Sequence, residues 1–263
     1  MTVGGRGAAL SALRAPVGRM VARTHVRLAD THVRCADGRR RAQAAVGTLW
    51  CVDRRARLHD ARLYLVADVA GLDRALDGAL AGGVDLVQLR DKAAGDAELL
   101  DAGARFGARC RAAGALFLLN DRPDLALAAD ADGVHVGQDD EPVVAARARV
   151  GRERLVGLST HGIAQARAGA RSGADYLAVG PVHATPTKAG RPAIGLEPVR
   201  FAAAHLELPW FAIGGLDART VGAVVAAGAR RIVVVRAIAA AHDPERAARA
   251  LRAALDGAPV GAA

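Results

Sequence analysis

The chain has 263 residues, of which 52% are hydrophobic and 24% charged, a composition typical of a globular protein with an Ala/Leu/Val core. No apolar run approaches the roughly 18 residues that a membrane span requires. The three cysteines form no CxxC or paired pattern, so the sequence indicates neither a disulfide framework nor a zinc site. We therefore expect a cytoplasmic protein without a membrane partner.

The basic character of the chain is confined to its N-terminus. Residues 1–56 contain eleven Arg and three Asp, so they carry +8 of the formal net charge of +9. We predict that residues 1–57 form a disordered or non-native extension, with Met20 or a later position as an alternative start. A targeting peptide or a basic nucleic-acid arm are the other interpretations of this segment. Because the remainder is almost neutral, we expect no nucleic-acid partner for the folded body.

The folded body is predicted over residues 58–257, followed by a flexible C-terminal tail over 258–263. Short apolar runs bounded by Gly, Pro or Asp predict buried parallel strands. The eight strand candidates are Arg62–Ala67, Val84–Arg90, Leu116–Asn120, Gly133–Val136, Leu155–Leu158, Asp175–Val179, Trp210–Ile213 and Arg231–Val235.

Amphipathic helical patterns lie between these strands. The clearest are Asp96–Ala113, a helix starting from Asp217 as N-cap and ending at Ala227, and a last helix with Asp243 as N-cap and Pro244 at its first position. Eight alternating strand and helix units predict an α/β protein with the (β/α)8 TIM barrel fold. An open doubly wound sheet is the alternative, but no GxGxxG motif follows the first strand.

In such a barrel the active site lies at the C-terminal ends of the strands. Gln88, Arg90 and Lys92 follow strand two at a spacing of two residues, so we expect them to point to one side and meet a ligand. An internal ion pair is the alternative explanation for this set.

Oxygen donors follow strands three and four. Asn120 and Asp121 end strand three, and Asp139 and Asp140 follow strand four. Carboxylates from two neighbouring loops are the ligands that Mg²⁺ prefers, with water and phosphate completing its shell. We predict a metal site at Asp121 and Asp140, although either member of the Asp139–Asp140 pair could hold the metal or cap the next helix.

The ends of strands five to eight carry groups suited to anions. Strand five ends in Ser159, and strand six opens a loop of about fifteen residues with Thr185, Thr187 and Lys188. A solvated surface loop is the alternative for this segment. Strand seven leads to Gly215, where backbone N–H groups are accessible, and strand eight leads to Val235 and Arg236, at the usual phosphate position of the fold.

Composition singles out three of these residues independently. The chain has 34 Arg but only two Lys, Lys92 and Lys188, and Asn120 is its single Asn. Because a compact ammonium is not equivalent to a planar guanidinium, we interpret the retained Lys residues as positions where the specific side chain matters.

Six motifs together resemble the thiamine-phosphate synthase family. In chain order they read VQLRDK, LNDRPDLALAADADGVHVGQDD, GLSTH, YLAVGPVHATPTK, GLEPVR and AIGGLD, and the resemblance covers about residues 58–255. It implies a (β/α)8 barrel that joins hydroxymethylpyrimidine diphosphate to thiazole phosphate with Mg²⁺, giving thiamine phosphate and pyrophosphate. The implied mechanism is dissociative, with the diphosphate leaving before the thiazole nitrogen captures the pyrimidine methylene cation.

The resemblance also implies a role for each matching residue. Gln88, Arg90, Lys92, Asn120, Ser159 and Lys188 match contacts of the pyrimidine diphosphate, and Arg90, Lys92, Ser159 and Lys188 are the catalytic candidates. Asp121 and Asp140 match the metal ligands, and Thr185, Thr187 and Gly215 match the thiazole-phosphate contacts. Val235-Arg236 departs from the Ile-Ser found in many members, so Arg236 either clamps this phosphate or faces solvent.

Two other activities fit parts of the sequence. A thiazole tautomerase-like isomerase would use the same fold but would not need the diphosphate and metal site, and a non-catalytic phospho-ligand binder would need no chemistry at all. We expect small-molecule substrates as the partners of this chain and allow for a homo-oligomer.

Overall fold

The computed structural model describes residues 53–185 and 192–257. The predicted extension over 1–57 therefore lies almost entirely outside the described residues, as do the predicted tail over 258–263 and two loop candidates, Thr187 and Lys188. Among the described residues, no helix combines the length and the apolarity that a bilayer span requires.

Eight parallel strands close into a barrel in chain order, with β8 pairing with β1. The strands are β1 Leu63–Ala67, β2 Leu86–Leu89, β3 Leu116–Asn120, β4 Gly133–Val136, β5 Leu155–Thr160, β6 Tyr176–Val179, β7 Trp210–Ile213 and β8 Ile232–Val234. The predicted (β/α)8 fold is thus confirmed, and the carboxyl ends of all eight strands meet at one end of the barrel, the top.

The helices pack around this barrel, except between β3 and β4, where residues 123–130 form hydrogen-bonded turns. The helices are α1 Arg54–Asp60, α2 Val69–Ala81, α3 Asp96–Ala112, α4 Val143–Val150, α5 Ile163–Gly169, α6 Glu197–His205, α7 Val221–Ala226, α8 Arg236–Ala239 and α9 Pro244–Asp256. As predicted, Asp243 caps α9, since its carboxylate accepts a hydrogen bond from Arg246 N (2.9 Å).

Two apolar cores follow from the alternation of side chains along each strand. The larger core lies between the barrel and its helices. The smaller core fills the barrel interior, where Leu86, Leu118, Leu155, Phe211 and Val233 are buried together. Above this apolar layer the interior becomes polar.

The start of the body differs from the prediction of Leu58. Helix α1 begins at Arg54, and Asp53 caps it by accepting hydrogen bonds from Arg55 N (3.1 Å) and Ala56 N (3.0 Å). Leu58, on its inner face, is 1% exposed and belongs to the interior core. The positive charge counted as part of the extension therefore includes two arginines, Arg54 and Arg55, of the folded body.

The prediction that Asp217 is the N-cap of a helix is wrong. Its carboxylate accepts from Arg219 N (2.8 Å) and Thr220 N (3.1 Å), and its carbonyl accepts from Val221 N (2.9 Å). These bonds close a turn that leads directly into α7, which begins only at Val221 with Thr220 as its N-cap. An Asx-type turn and a helix cap use the same acceptor, so the local sequence does not distinguish them.

Candidate active site

A pocket of about 600 Å³ opens at the top of the barrel. Its lining includes eight of the predicted site residues: Gln88, Arg90, Asn120, Ser159, Thr185, Gly215, Val235 and Arg236. The candidates Lys92, Asp121 and Asp140 are not among the lining residues. The expectation that strand ends converge on one cavity therefore holds for most of the candidates that the structure describes.

The floor of the pocket is polar and buried. Gln88 is 3% exposed and Ser159 is 6% exposed, and both point into the barrel interior. Ser159 lies within β5, which runs two residues beyond its predicted end at Leu158. Asn120, at the end of β3, is partly buried beside them. These neutral groups suit an uncharged polar ligand ring.

The prediction that three side chains after strand two point to the same side does not hold for all of Gln88, Arg90 and Lys92. Strand β2 ends at Leu89, and only Gln88 and Arg90 line the pocket. The Lys92 side chain is 65% exposed, and its Nζ lies 3.8 Å from Asp121 Oδ2. Lys92 thus stands next to the candidate metal ligand Asp121 and is not among the residues that line the pocket.

Two carboxylates meet beside Lys92. Asp121 adopts a left-handed conformation (φ 58°), its N–H donates to His135 O (2.8 Å), and its carboxyl hydrogen-bonds Asp140. Burial, with the hydrogen bond and the charge of Asp140, raises the pKa of Asp121 to about 6, while Lys92 and Asn120 oppose this shift. Two carboxyls held this close favour a shared cation or a shared proton.

Asp140 rather than Asp139 faces Asp121. Asp140 Oδ2 also accepts from Gly137 N (2.8 Å). The helix-cap alternative for this pair is not supported, because α4 has Pro142 at its N-cap position and no side-chain cap. In the described part of the chain no group of three or more His, Cys, Asp or Glu side chains could hold a metal ion, so the candidate site consists of this carboxylate pair.

The opposite wall carries the candidate phosphate groups. Gly215 has φ 64°, and a Cβ at this position would lie 2.8 Å from His183 Cβ, so only glycine brings the backbone this close to the β6 loop. Thr185 and Val235 are partly buried in this wall, and the exposed Arg236 begins α8 at the pocket edge.

Sequence reasoning missed three polar residues of the interior. Tyr64, His135 and Tyr176 are buried in β1, β4 and β6 and connect Gln88 with Ser159 by hydrogen bonds. A signal for them existed, because each is a hydrogen-bonding residue within an otherwise apolar strand. Their partners, however, are 24 to 112 residues away in the sequence.

A closed (β/α)8 barrel with a polar-floored pocket at its top, a glycine-lined wall and a carboxylate pair directly after Asn120 is the arrangement of an enzyme acting on small molecules. Residues 63–238 match the family model described as thiamine monophosphate synthase. The chain belongs to the thiamine monophosphate synthase family.

Individual relatives agree with this assignment. The chain is 52% identical over 213 residues to a thiamine-phosphate synthase of Saccharopolyspora erythraea, covering 76% of this chain and 96% of the relative. It is 53% identical over 195 residues to a thiamine-phosphate synthase of Gloeobacter violaceus, covering 74% of this chain but only 57% of that relative's length. A thiamine phosphate pyrophosphorylase structure from Pyrococcus furiosus is similar with a TM-score of 0.69 and 31% identity, covering 79% of this chain and 99% of that one.

Proposed function

We propose that the chain is a thiamine-phosphate synthase that joins hydroxymethylpyrimidine diphosphate to thiazole phosphate and releases pyrophosphate. The observation that carries this proposal is the Asp121–Asp140 pair beside Lys92, directly after Asn120, which lines a pocket with a polar floor. A diphosphate leaving group needs such a combination of metal ligands and cations.

The carboxylate pair fits Mg²⁺. Burial, followed by the hydrogen bond and the charge of Asp140, raises the pKa of Asp121, and Lys92 offsets only part of this rise. A divalent cation between Asp121 and Asp140 would favour the ionised form of both carboxyls. Mg²⁺ bound there would neutralise charge on the departing diphosphate. We assign the metal to Asp140 and not Asp139, since the Asp140 carboxyl is the one that hydrogen-bonds Asp121.

The remaining candidates divide between two substrates. Gln88, Asn120 and Ser159 would hold the pyrimidine on the pocket floor, and Arg90 and Lys92 would bind the diphosphate together with Lys188. Gly215, Val235 and Arg236 would bind the thiazole phosphate with Thr185 and Thr187. Lys188 and Thr187 lie outside the described residues, so their roles rest on the sequence resemblance alone.

The chemistry needs no protein nucleophile. In a dissociative reaction the carbon–oxygen bond to the diphosphate breaks first, and the thiazole nitrogen attacks the resulting methylene cation. The protein would bind, orient and exclude water from the cation. Cys110, the cysteine within the described residues, lies on the buried face of α3, and burial raises the pKa of its thiol to about 12, so we assign it no catalytic role.

An assay of both substrates with the full chain tests the proposal. We expect thiamine phosphate and pyrophosphate in stoichiometric amounts with Mg²⁺, and little product with a chelator. Asp140→Asn should lower kcat/KM by about 100-fold or more, because a metal contributes several kcal/mol of charge stabilisation. Asp139→Asn is the matched control and should remain near wild type.

Two results would contradict this proposal. No thiamine phosphate under any condition would exclude the synthase activity. Isomerisation of the thiazole without Mg²⁺ would instead favour the tautomerase-like activity on the same fold.

A further inference from the structure

The loop that follows β6 begins with a tightly held segment, residues 180–183, which we call the loop base. Toward β7, Val182 N donates to Ile213 O (2.8 Å) and His183 N donates to Gly214 O (3.1 Å). The loop base is therefore bonded to the end of β7, directly before the glycine-lined wall of the pocket.

The loop base also bonds the chain where the loop returns toward α6. Ile194 N donates to Pro181 O (2.8 Å), and Gly195 N donates to Val182 O (3.1 Å). Thr185, a lining residue of the pocket, follows the loop base by two positions. The loop base thus holds both the start and the return of this loop, and its position determines where Thr185 stands.

His161 connects the loop base to β5. Strand β5 ends at Thr160, and Nδ1–H of the next residue, His161, donates to Gly180 O (2.6 Å). A carbonyl oxygen can only accept, so Nδ1 carries a proton whatever the charge of the ring. The backbone of His161 is held as well, because its N–H donates to Gln165 Oε1 (2.8 Å) in α5. The His161 side chain thus reaches from β5 to the first residue of the loop base.

The peptide that the His161 side chain holds offers one polar group. Because the residue after Gly180 is Pro181, this peptide has no N–H, and only its carbonyl oxygen can form a hydrogen bond. The rest of Gly180 is tightly placed: its N–H donates to Thr160 O (3.0 Å), and a Cβ on it would lie 2.0 Å from Ile213 O. The hydrogen bond from His161 therefore fixes the direction in which the chain leaves β6.

We propose that His161 is a positioning residue for thiazole phosphate: by holding Gly180 O, it fixes the loop base and with it the wall that faces this phosphate. The inference rests on the proposed function and adds to it a residue outside the predicted site. A Cβ at Gly215 would lie 2.8 Å from His183 Cβ, so the loop base packs directly on that wall. A shift of the loop base therefore changes the spacing between Thr185 and Gly215, and the phosphate needs donors from both sides at once.

His161 also lines the pocket, so direct contact with a substrate is the alternative role. Two substitutions separate the roles, because they treat the two ring nitrogens differently. His161→Asn retains an N–H donor close to the position of Nδ1 and removes Nε2, whereas His161→Leu removes both nitrogens. Positioning through Gly180 needs the Nδ1 donor alone, so the two variants should differ. Contact through Nε2 would make them equally defective.

In the synthase assay we expect His161→Leu to raise KM for thiazole phosphate by about 10-fold or more, as for a buried carbonyl that loses its donor. KM for the pyrimidine diphosphate should stay near wild type, and His161→Asn should recover most of the loss. Thr160→Val is the matched control, since it removes another hydrogen bond from β5 to β6, Thr160 Oγ1 to Ala178 O (3.2 Å), below the loop base. It should lower Tm and leave both KM values unchanged.

Carbonyl ¹³C NMR provides a readout that does not depend on activity. Gly180-Pro181 is the single Gly-Pro pair of the sequence, so combining ¹³C-carbonyl-labelled glycine with ¹⁵N-labelled proline isolates the Gly180 carbonyl. Its resonance should move upfield in His161→Leu, because the carbonyl loses its hydrogen bond. It should stay near the wild-type position in His161→Asn and in Thr160→Val.

Several results would overturn the positioning role. An unmoved Gly180 resonance or an unchanged KM for thiazole phosphate in His161→Leu would do so, as would equal defects in His161→Leu and His161→Asn. An equal rise in this KM in Thr160→Val would show that any weakening of the barrel has the same effect. If His161→Leu does not fold, a raised KM in His161→Asn is sufficient to reject the role. Absence of product from wild type itself would instead refute the proposed function.

Discussion

Asp121 shows how a single residue can be unfavourable for stability and still suit a site. It holds a left-handed backbone conformation that Asp and Asn tolerate better than most residues. Its half-buried carboxyl faces Asp140, and Lys92 is 3.8 Å away at an exposed position. The carboxylate therefore loses hydration and meets like charge in the folded state, a strain that a bound cation would relieve.

Asp121→Asn should consequently separate stability from activity. Without Mg²⁺ at pH 7 to 8, we expect the variant to be more stable by on the order of 1 kcal/mol, a rise in Tm of about 2–4 °C for a domain of this size. Thermal unfolding by circular dichroism measures this, and the synthase assay should show almost no turnover. Asp139→Asn should change neither quantity, and a lower Tm for Asp121→Asn would contradict the charge argument.

The difference in stability between Asp121→Asn and wild type should increase as the pH rises. The folded-state pKa of Asp121 is raised from 3.8 to about 6, so the folded state binds this proton more tightly than the unfolded chain. The associated stability is present below pH 3.8 and is lost as the pH rises through 6. The gap in Tm between Asp121→Asn and wild type should therefore widen from pH 4 to pH 7, and a constant gap would indicate another cause.

Arg236 is a second residue whose role can be tested singly. It is exposed at the start of α8 and lines the pocket, close to the glycine wall. If it clamps the thiazole phosphate, Arg236→Ala should raise KM for that substrate by about 10-fold or more, as expected for a charge-assisted contact, with KM for the pyrimidine diphosphate unchanged. Equal KM values in variant and wild type would leave Arg236 as a solvent-facing residue.

Among the secondary-structure elements, α1 departs most from what the sequence suggested. Its arginines reach the loops that precede the strands: Arg54 Nε lies 2.8 Å from Asp132 Oδ1, and Arg55 Nε lies 2.8 Å from Asp175 Oδ1. Asp132 and Asp175 are themselves buried or nearly so, and Leu58 enters the interior core. Helix α1 therefore closes the bottom of the barrel.

Two truncations test whether α1, and not the segment before it, stabilises the barrel. Removal of residues 1–52 should leave Tm and kcat/KM near those of the full chain. Removal of residues 1–60 takes away Leu58, whose burial alone contributes about 1.5–3 kcal/mol, and unpairs Asp132, so Tm should fall by several degrees or more. Equal Tm values for the two truncations would show that α1 does not stabilise the barrel.

The same elements show what sequence can and cannot predict. All eight strands could be predicted because burial on both faces produces a local apolar run. The strand ends then pointed to Gln88, Asn120 and Ser159, which line the pocket. Helix α1 was missed because its arginines resemble those of the preceding segment until Asp132 and Asp175 are brought beside them. The buried hydrogen bonds of Tyr64, His135 and Tyr176 were missed for the same reason, since Tyr64 and Tyr176 are 112 residues apart in the sequence.

At the scale of the whole molecule, the two ends of the barrel have different chemistry. The bottom is closed by α1 and by ion pairs such as Arg252 with Asp85 (2.8 Å). The top holds the pocket, the carboxylate pair and backbone in left-handed conformations at Asp121 and Gly215. Stability is thus concentrated at one end, while the groups with unfavourable electrostatics lie at the other.

Because the groups with unfavourable electrostatics lie at the top of the barrel, ligands that bind there should stabilise the folded state. Pyrophosphate with Mg²⁺ should raise Tm, because both bind the folded state alone, and the gain should approach about 2.7 kcal/mol at 100 times the dissociation constant. Pyrophosphate with a chelator should give a much smaller shift. Equal shifts under both conditions, measured by scanning fluorimetry, would argue against a metal at Asp121 and Asp140.

The position of the two ends of the described barrel, Asp53 and Gly257, has a practical consequence. Arg62, just before β1, contacts Asp256 at the end of α9 (2.8 Å), and α1 starts at the same end of the barrel. Asp53 and Gly257, the outermost described residues, therefore both lie on the side away from the pocket. A fusion partner or a surface linkage attached at either point would leave the pocket mouth open, which suits the molecule to immobilised synthesis and to joining with the enzyme that makes its substrate.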